Sequence, residues 1–459
     1  MRRILLLFSL LFISGACANA QMPPSLDEQF DYGPHIAEGY DVDLDWWRIY
    51  NDQQLNRLVE TALAQNIDLA KSAVEVNRAL YQANLIGADL FPTFSGDLNA
   101  SARKDIKHGG PSTRSAGGEL AVSYELDLWR KIADSVSAQE WEYQATVEDL
   151  LAARLALINS VVDTYFYLAY LDEAMRVTLD SLENYKRIEY VAETKYSLGK
   201  ADALEQSQAR QAVYKAENDL INLQTQAKEY EETLRNLLNL HPGQNLPSAF
   251  MNLDYPDLLK VESPEVDLNV PLAVLANRPD LMAAENRVRS AFKDTQVANK
   301  SWLPEITLGA GLSSSSSRVR TAFDVPVAAG TIGISLPFLD WSRVYWQVKI
   351  SEADFQSRVL EFEQSITTAL NEVDKFYYRY LRAEDSLRVI TQKFEHDHKI
   401  SGYYQTRYES GAAELSDWLG ALNTETQSRR DLLNAKYSQI EYENALYKAL
   451  AGRYATKEQ

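Results

Sequence analysis

The chain has 459 residues, 46% of them hydrophobic, and a formal charge of −19. That length allows two or three ordinary domains, and that apolar content excludes a disordered chain. The acidic balance argues against nucleic acid as a partner, because phosphate binding needs clustered Lys and Arg.

At the N-terminus Arg2 and Arg3 precede an apolar run over 4–13. A short basic region followed by a short apolar one is the order of a secretory signal, and the run is too short to cross a bilayer as a helix. Two processing readings stay open. Ala18, Asn19 and Ala20 before Gln21 suit an ordinary signal peptidase and give a signal over 1–20. Ser14, Gly15, Ala16 and Cys17 loosely match a lipobox, which gives a signal over 1–16 and a lipid on Cys17. Cys17 is the single cysteine, so the mature chain has no disulfide of its own. No later stretch holds the run of about 18 apolar residues that a transmembrane helix needs.

Residues 21–51 read as an N-terminal extension, and the chain beyond it is written twice. "DLAKSAVEVNRALYQANLIGADLFP" (68–92) returns as "DLMAAENRVRSAFKDTQVANKSWLP" (280–304), 212 residues on. The same offset of 212 separates Trp129 of "ELDLW" from Trp341 of "PFLDW", and Tyr196 and Gly199 from Tyr408 and Gly411. One offset shared by all these landmarks identifies a tandem duplication. The first repeat covers 52–243, a linker 244–270, the second repeat 271–453 and a tail 454–459.

Each repeat opens with an amphipathic helix, expected over about 52–90 and 271–302. Two strand-like segments come next, about 93–105 and 117–128 in the first repeat, 305–317 and 329–340 in the second. Leu120, Val122, Tyr124, Leu126 and Leu128 alternate with polar or small neighbours, as do Ile332, Ile334, Leu336 and Phe338. A period of two gives a strand one apolar and one polar face. A helix of about 70 residues is then expected from Trp129 to Gly199 and from Trp341 to Gly411, roughly 105 Å long. Leu151, Leu155, Ile158, Val162 and Tyr165 fall at coiled-coil spacing, as do Ile366, Leu370, Val373, Tyr377 and Tyr380. Gly199 and Gly411 interrupt tracts of good helix formers, and each is succeeded by a long return helix.

The strands have the length of transmembrane β-strands. Phe91, Trp129, Trp302 and Trp341 stand at their helix-side ends, which up-and-down order brings to one level. That is the pattern of an aromatic girdle at a membrane interface; ordinary core aromatics at the junctions of a soluble sandwich are the competing reading. In lipid an open sheet edge is not tolerated, and the smallest barrels have about eight strands. The chain must therefore associate with copies of itself, a dimer supplying eight strands and a trimer twelve.

The sequence resembles the TolC/NodT outer-membrane factor family, in its multidrug-efflux branch. "DWWRIYNDQQLNRLVETALAQNIDL" (45–69), "NRPDL" (277–281), the "LFP" and "WLP" entries to the strands, "YELDLWRKI" (124–132) and the two glycine tips carry the resemblance. It implies a mainly α fold with a transmembrane β part, four strands per chain, assembled as a homotrimer. A 12-stranded barrel in the outer membrane of a Gram-negative bacterium would stand on an α-helical coiled-coil barrel in the periplasm. It implies a passive duct without a cofactor, docked through a periplasmic adaptor (membrane fusion protein) onto an inner-membrane RND-type or ABC-type pump. Arg130 departs from the Gly of many relatives, and Ala413 and Gly420 stand where an Arg and a second acid are usual.

Glu205 and Asp417 each lie six residues after a tip glycine. The resemblance implies that three copies of Asp417 form an acidic ring at the periplasmic constriction, selective for cations and sensitive to divalent ions. It also implies a Tyr408 to Glu205 hydrogen bond between neighbouring coils in the closed state. Ordinary helix-surface charge is the alternative for both acids. Lys195, Leu198, Gly199, Arg407 and Gly411 are candidates for docking the adaptor. No catalytic constellation stands out among the residues. His396 and His398 flank Asp397 without the further Cys or His that a zinc site needs. The expected function is a non-enzymatic efflux duct. A type I protein-secretion duct and a pore-less periplasmic coiled-coil protein are the alternatives.

Overall fold

The structure, a computed structural model, describes residues 22–30, 40–104, 106, 112–241, 255–262 and 270–456. Cys17 with the whole signal segment, and most of the 244–270 linker, lie outside the described residues. Among the described residues the chain is mainly α-helical with two small antiparallel sheets. Its elements are α1 (Leu26–Phe30), β1 (Tyr40–Asp43), α2 (Gln53–Gln65), α3 (Ile67–Gly87), β2 (Thr93–Arg103), β3 (Thr113–Glu125), α4 (Lys131–Ser197) and α5 (Ala203–Leu237). The second repeat supplies α6 (Pro279–Lys300), β4 (Glu305–Ser316), β5 (Val327–Ser335), α7 (Trp341–Glu409), α8 (Leu415–Ala449) and β6 (Arg453–Thr456). The described residues form two compact units, one drawn from 22–26, 73–149 and 280–365, the other from 27–72, 150–279 and 366–456.

The first unit carries a four-stranded sheet in the order β2-β3-β4-β5. Its register pairs Gly96 with Leu120, Leu120 with Leu312, and Leu312 with Ala328. Because side chains alternate across a strand, this alignment gathers Phe94, Leu98, Leu120, Leu308, Leu312 and Ile332 on one face. Ser95, Asp97, Asn99, Glu119, Thr307 and Thr331 stand on the other. Most of the apolar face is uncovered: Phe94 is 82%, Leu98 79% and Ile332 73% exposed.

The strand ends differ from those expected. β3 starts at Thr113 and stops at Glu125, and β5 stops at Ser335. Leu126, Leu128, Leu336 and Phe338 alternate in sequence but lie beyond the strand ends. The Asp127 carboxylate accepts backbone N–H bonds from Ile132 (3.0 Å) and Ala133 (2.9 Å), which begins α4, and Pro337 opens a 3₁₀ turn. A capping carboxylate and a Pro override local alternation because each satisfies or removes backbone donors.

Between the cap and the helix, Arg130 takes the left-handed conformation, φ +58°. That conformation costs a residue with a Cβ about 1 kcal/mol, and it explains why Gly suits this position. Arg130→Gly is expected to raise stability by a few tenths of a kcal/mol, net of the entropy that Gly adds to the unfolded chain. A thermal unfolding midpoint that falls would contradict this account.

The second unit buries Trp46 and Trp47; the Trp46 indole N–H donates to Asn444 Oδ1 of α8 at 2.8 Å, and the Tyr50 ring lies 4.8 Å from that of Phe166 in α4. Asp52 caps α2, accepting from Gln54 and Leu55, and its other oxygen accepts from the Tyr165 hydroxyl at 2.6 Å. β1 pairs with β6, so the extension and the tail, both unassigned by pattern, meet in one ladder. The single helix expected over 52–90 is two helices, broken at Asn66, which is extended (φ −66°, ψ 124°). The Asn66 amide accepts from the Leu69 N–H (3.0 Å) and donates to the Leu237 carbonyl (3.0 Å). In the second repeat Arg278, 212 residues on, donates to the carbonyl of Ala449, which is 212 residues after Leu237 (2.8 Å). The return helices also end alike, with Asn239 (φ +55°) and Ala451 (φ +59°) left-handed. Of the coiled-coil positions, Leu155, Ile158, Val162 and Tyr165 are buried, while Leu151 is exposed.

Two carboxyls in this unit are strongly perturbed. Burial, with Glu441 nearby, pushes Asp163 up to about 7 against the opposing hydrogen bonds of Asn444 and Asn159 and the Lys448 charge. Burial pushes Glu443 up to about 8, against its Tyr447 hydrogen bond and the charges of Lys436 and Arg453. A raised carboxyl binds its proton more tightly folded than unfolded, so its contribution is full below about pH 4 and is lost as pH rises through the folded value. The fold is therefore expected to lose stability steadily between pH 5 and 8. Asp163→Asn with Glu443→Gln should flatten that slope; a slope left unchanged would contradict the assignment.

Candidate functional site

The reversals at the ends of α4 and α7 are built the same way. Gly199 (φ +70°) donates to Tyr196 and Lys200 to Lys195; Gly411 (φ +73°) donates to Tyr408 and Ala412 to Arg407. This is the paired hydrogen-bond pattern of a helix ended by a left-handed residue, which Gly adopts without a Cβ clash. A Cβ at either glycine would meet nothing within 4 Å, so the backbone angle alone selects Gly. The return helices start on acidic caps. Asp202 accepts from the Glu205 N–H at 2.9 Å. Glu414 caps α8, with Asp417 reaching back to its N–H at 3.4 Å. Glu205 and Asp417 thus hold the same third helical position of the two return helices.

Between the reversals lies a compact polar constellation. The Tyr408 hydroxyl donates to Glu205 Oε1 at 2.7 Å, and Lys195 Nζ donates to the Tyr408 oxygen at 2.8 Å. Lys195 Nζ is 3.7 Å from Glu205 Oε1, closing a triangle that ties α7 to α4 and α5. The Tyr408 ring lies 5.3 Å from that of Trp418, over a small core that includes Leu182, Ala209 and Leu415. The hydrogen bond to Tyr408 holds the Lys195 ammonium above its ordinary range. Burial, with the Glu205 contact, pushes the Tyr408 phenol up against the opposing pull of Lys195.

The other tip residues face outward. Leu198 is 65% exposed. Arg407 donates to the Tyr403 hydroxyl and to the Ala412 carbonyl, both at 2.9 Å, bracing the second reversal. Phe91 and Trp341 at the strand ends are exposed, Trp302 is half-buried, and Trp129 donates its indole N–H to the Pro304 carbonyl at 2.8 Å. Among the described residues no group of three or more His, Cys, Asp or Glu could hold a metal; His398 instead contacts Glu425 at 2.5 Å.

The pattern of the family described as "Outer membrane efflux protein" matches residues 58–240 and 270–452, once for each repeat. The chain belongs to the outer membrane efflux protein family. Toxin and drug export protein A of Aggregatibacter actinomycetemcomitans is 47% identical to it over 422 residues, 92% of this chain and 91% of the relative. An uncharacterized protein of Haemophilus influenzae is 47% identical over 449 residues, 97% and 98% of the two chains. The outer membrane protein VceC of Vibrio cholerae has the same fold, with a TM-score of 0.79 at 22% identity, covering 90% of this chain and all of that one.

This efflux protein is thus a duct component of the outer membrane. Two features of its tip escaped sequence reasoning. Lys195, a candidate for docking the adaptor, lies within bonding distance of Tyr408 and Glu205. The Trp418 ring beneath Tyr408 had no expectation attached. The 212-residue offset from Tyr196 and Glu205 to Tyr408 and Asp417 was the available signal: with Tyr408 paired to Glu205, a cation facing both was the remaining partner to seek.

Proposed function

We propose that three copies of this chain close a 12-stranded barrel and conduct small molecules passively out through the outer membrane. One observation carries the reading: four strands in register present an exposed apolar face, a polar face, and two edges, β2 and β5, that pair with no other strand among the described residues. In lipid such edges must be paired. Copies of the same sheet supply the strands, the apolar face meets the bilayer, and Asp97, Asn99 and Glu119 line the lumen. Phe91, Trp129, Trp302 and Trp341 then mark the periplasmic interface.

The helix tips form the gate in this reading. The Lys195–Tyr408–Glu205 triangle holds it shut, and three copies of Asp417 make the acidic ring that attracts cations. Leu198, Gly199, Arg407 and Gly411 meet a periplasmic adaptor that belongs to an RND-type or ABC-type pump, and the gate opens when that contact breaks the triangle. Drugs or other small molecules are the cargo. The name of the Aggregatibacter relative, which couples toxin with drug export, favours as second reading a duct that also serves protein secretion. A deletion strain separates the two: drug sensitivity without loss of secreted protein supports the first.

Purified trimers in planar bilayers test the duct. Discrete conductance steps are expected, and folded trimers with none would sink the proposal. Asp417→Asn is expected to weaken block by divalent cations about tenfold, the effect of removing on the order of 1.4 kcal/mol of ring attraction. Block of wild-type strength would remove Asp417 from the ring.

A further inference from the structure

Polar side chains interrupt the apolar face at one end of the sheet, where Ser314 and Ser316 of β4 share a face with Leu312. Both serines are engaged. Ser314 Oγ donates to the Val325 carbonyl at 3.0 Å, and the hydroxyls of Ser316 and Thr321 lie 2.6 Å apart. These bonds fold the 317–326 connection back over the apolar face of its own sheet. Ala322 is buried there, and the Phe323 ring lies so close over Gly118 that a Cβ would come within 2.9 Å of it.

Beside this folded connection is a groove of about 520 Å³, walled by Leu98, Leu120, Leu312, Phe323 and Pro326 over a floor that includes Gly96 and Gly118. Its lining is mostly apolar, with Asp97, Glu119, Ser313 and Ser314 also along it, and it opens on the part of that face the connection leaves uncovered. Basic side chains stand at the same end of the sheet. Arg114 pairs in register with Ala102, which puts it on the apolar face two residues from Ala116. Arg318 and Arg320 belong to the connection itself, and all three are exposed. The connection contains one acid, Asp324. Three arginines at the same end of the sheet as an apolar slot, though none is among its walls, run against the −19 charge of the chain.

An apolar slot by itself gains little in a bilayer, because lipid tails are as apolar as Leu. Discrimination has to come from the charges. Arg presents a planar fork that binds phosphate in bidentate fashion, and basic clusters at a membrane surface select anionic headgroups. We propose that this groove seats one acyl chain of an outer-leaflet lipid whose phosphate is held by Arg114, Arg318 and Arg320. The occupant is a phosphorylated, acylated glycolipid. The inference rests on the reading of the sheet as a barrel wall.

The test reconstitutes the full chain into vesicles of phosphatidylethanolamine containing bisphosphorylated, hexa-acylated lipid A, then counts retained lipids by native mass spectrometry. Lipid A should be retained at one per chain and enriched about tenfold over phosphatidylethanolamine. The variant with R114Q, R318Q and R320Q should insert normally and lose that enrichment. Leu312→Trp, which fills the groove and leaves the arginines, should reduce retention as well. Insertion with equal retention of the two lipids, or enrichment untouched by the triple variant, overturns the lipid site alone. A chain that fails to enter the vesicles at all overturns the barrel reading with it.

Discussion

Tyr408→Phe combined with Glu205→Gln is expected to leave a trimer that stays open in planar bilayers. The hydroxyl of Tyr408 bridges Lys195 (2.8 Å) and Glu205 (2.7 Å), so its removal deletes both hydrogen bonds at once. Hydrogen bonds to charged partners contribute about 1.5–3 kcal/mol when shielded. Lys195 is 37% exposed and Glu205 22%, so about 1 kcal/mol per chain is the discounted figure. Three chains acting together lose about 3 kcal/mol, which shifts the ratio of open to closed by about two orders of magnitude. The effect should hold from pH 6 to 9. Lys195 and Tyr408 are both raised in the folded protein, so what they contribute is intact below their ordinary values near 10 and is lost only as pH rises through the higher folded ones. Open probability equal to wild type in this variant would show that the triangle is not the latch.

The largest loss of stability is expected from Arg278→Ala. Arg278 is 7% exposed, donates to the Ala449 carbonyl and pairs with Glu372, each at 2.8 Å. Deleting the guanidinium leaves a carboxylate and a helix-terminal carbonyl facing a void. Breaking a buried pair from one side costs about 3–5 kcal/mol, and the partial exposure of Glu372 points to the lower end. Asn66→Ala, at the matching position of the first repeat, removes neutral hydrogen bonds only and should cost about 1 kcal/mol. Urea unfolding of the two variants measures the difference. Equal losses would mean that the ion pair adds nothing beyond the shared bond to the return helix.

That pair of positions shows where sequence reading reached and where it stopped. The duplication was legible because it is a matter of offset, and it placed the two reversals at Gly199 and Gly411. The contact that repeats with it, from Asn66 to Leu237 and from Arg278 to Ala449, was not legible. Its two donors differ in chemistry, and each bond spans 171 residues. The motif "NRPDL" marked Arg278 as notable without saying what it touches. At the tip, Glu205 and Asp417 could be counted six residues from their glycines, but their equivalence as capped third positions needed the φ and ψ angles of Asp202 and Glu414.

The sequence by itself determined the duplication, the helical reversals and the two-faced character of the strands. Each depends on spacing along the chain or on the φ that only Gly adopts cheaply, and both are local quantities. The tertiary structure decided where the strands end, because Asp127 and Pro337 commit the backbone donors elsewhere. It also decided that the first helix breaks at Asn66, and that β1 near the start of the chain pairs with β6 near its end. It placed Lys195 within 2.8 Å of Tyr408, 213 residues away. No periodic pattern encodes a contact of that kind; it exists only once packing has brought distant helices together and burial has made an unpaired polar group costly.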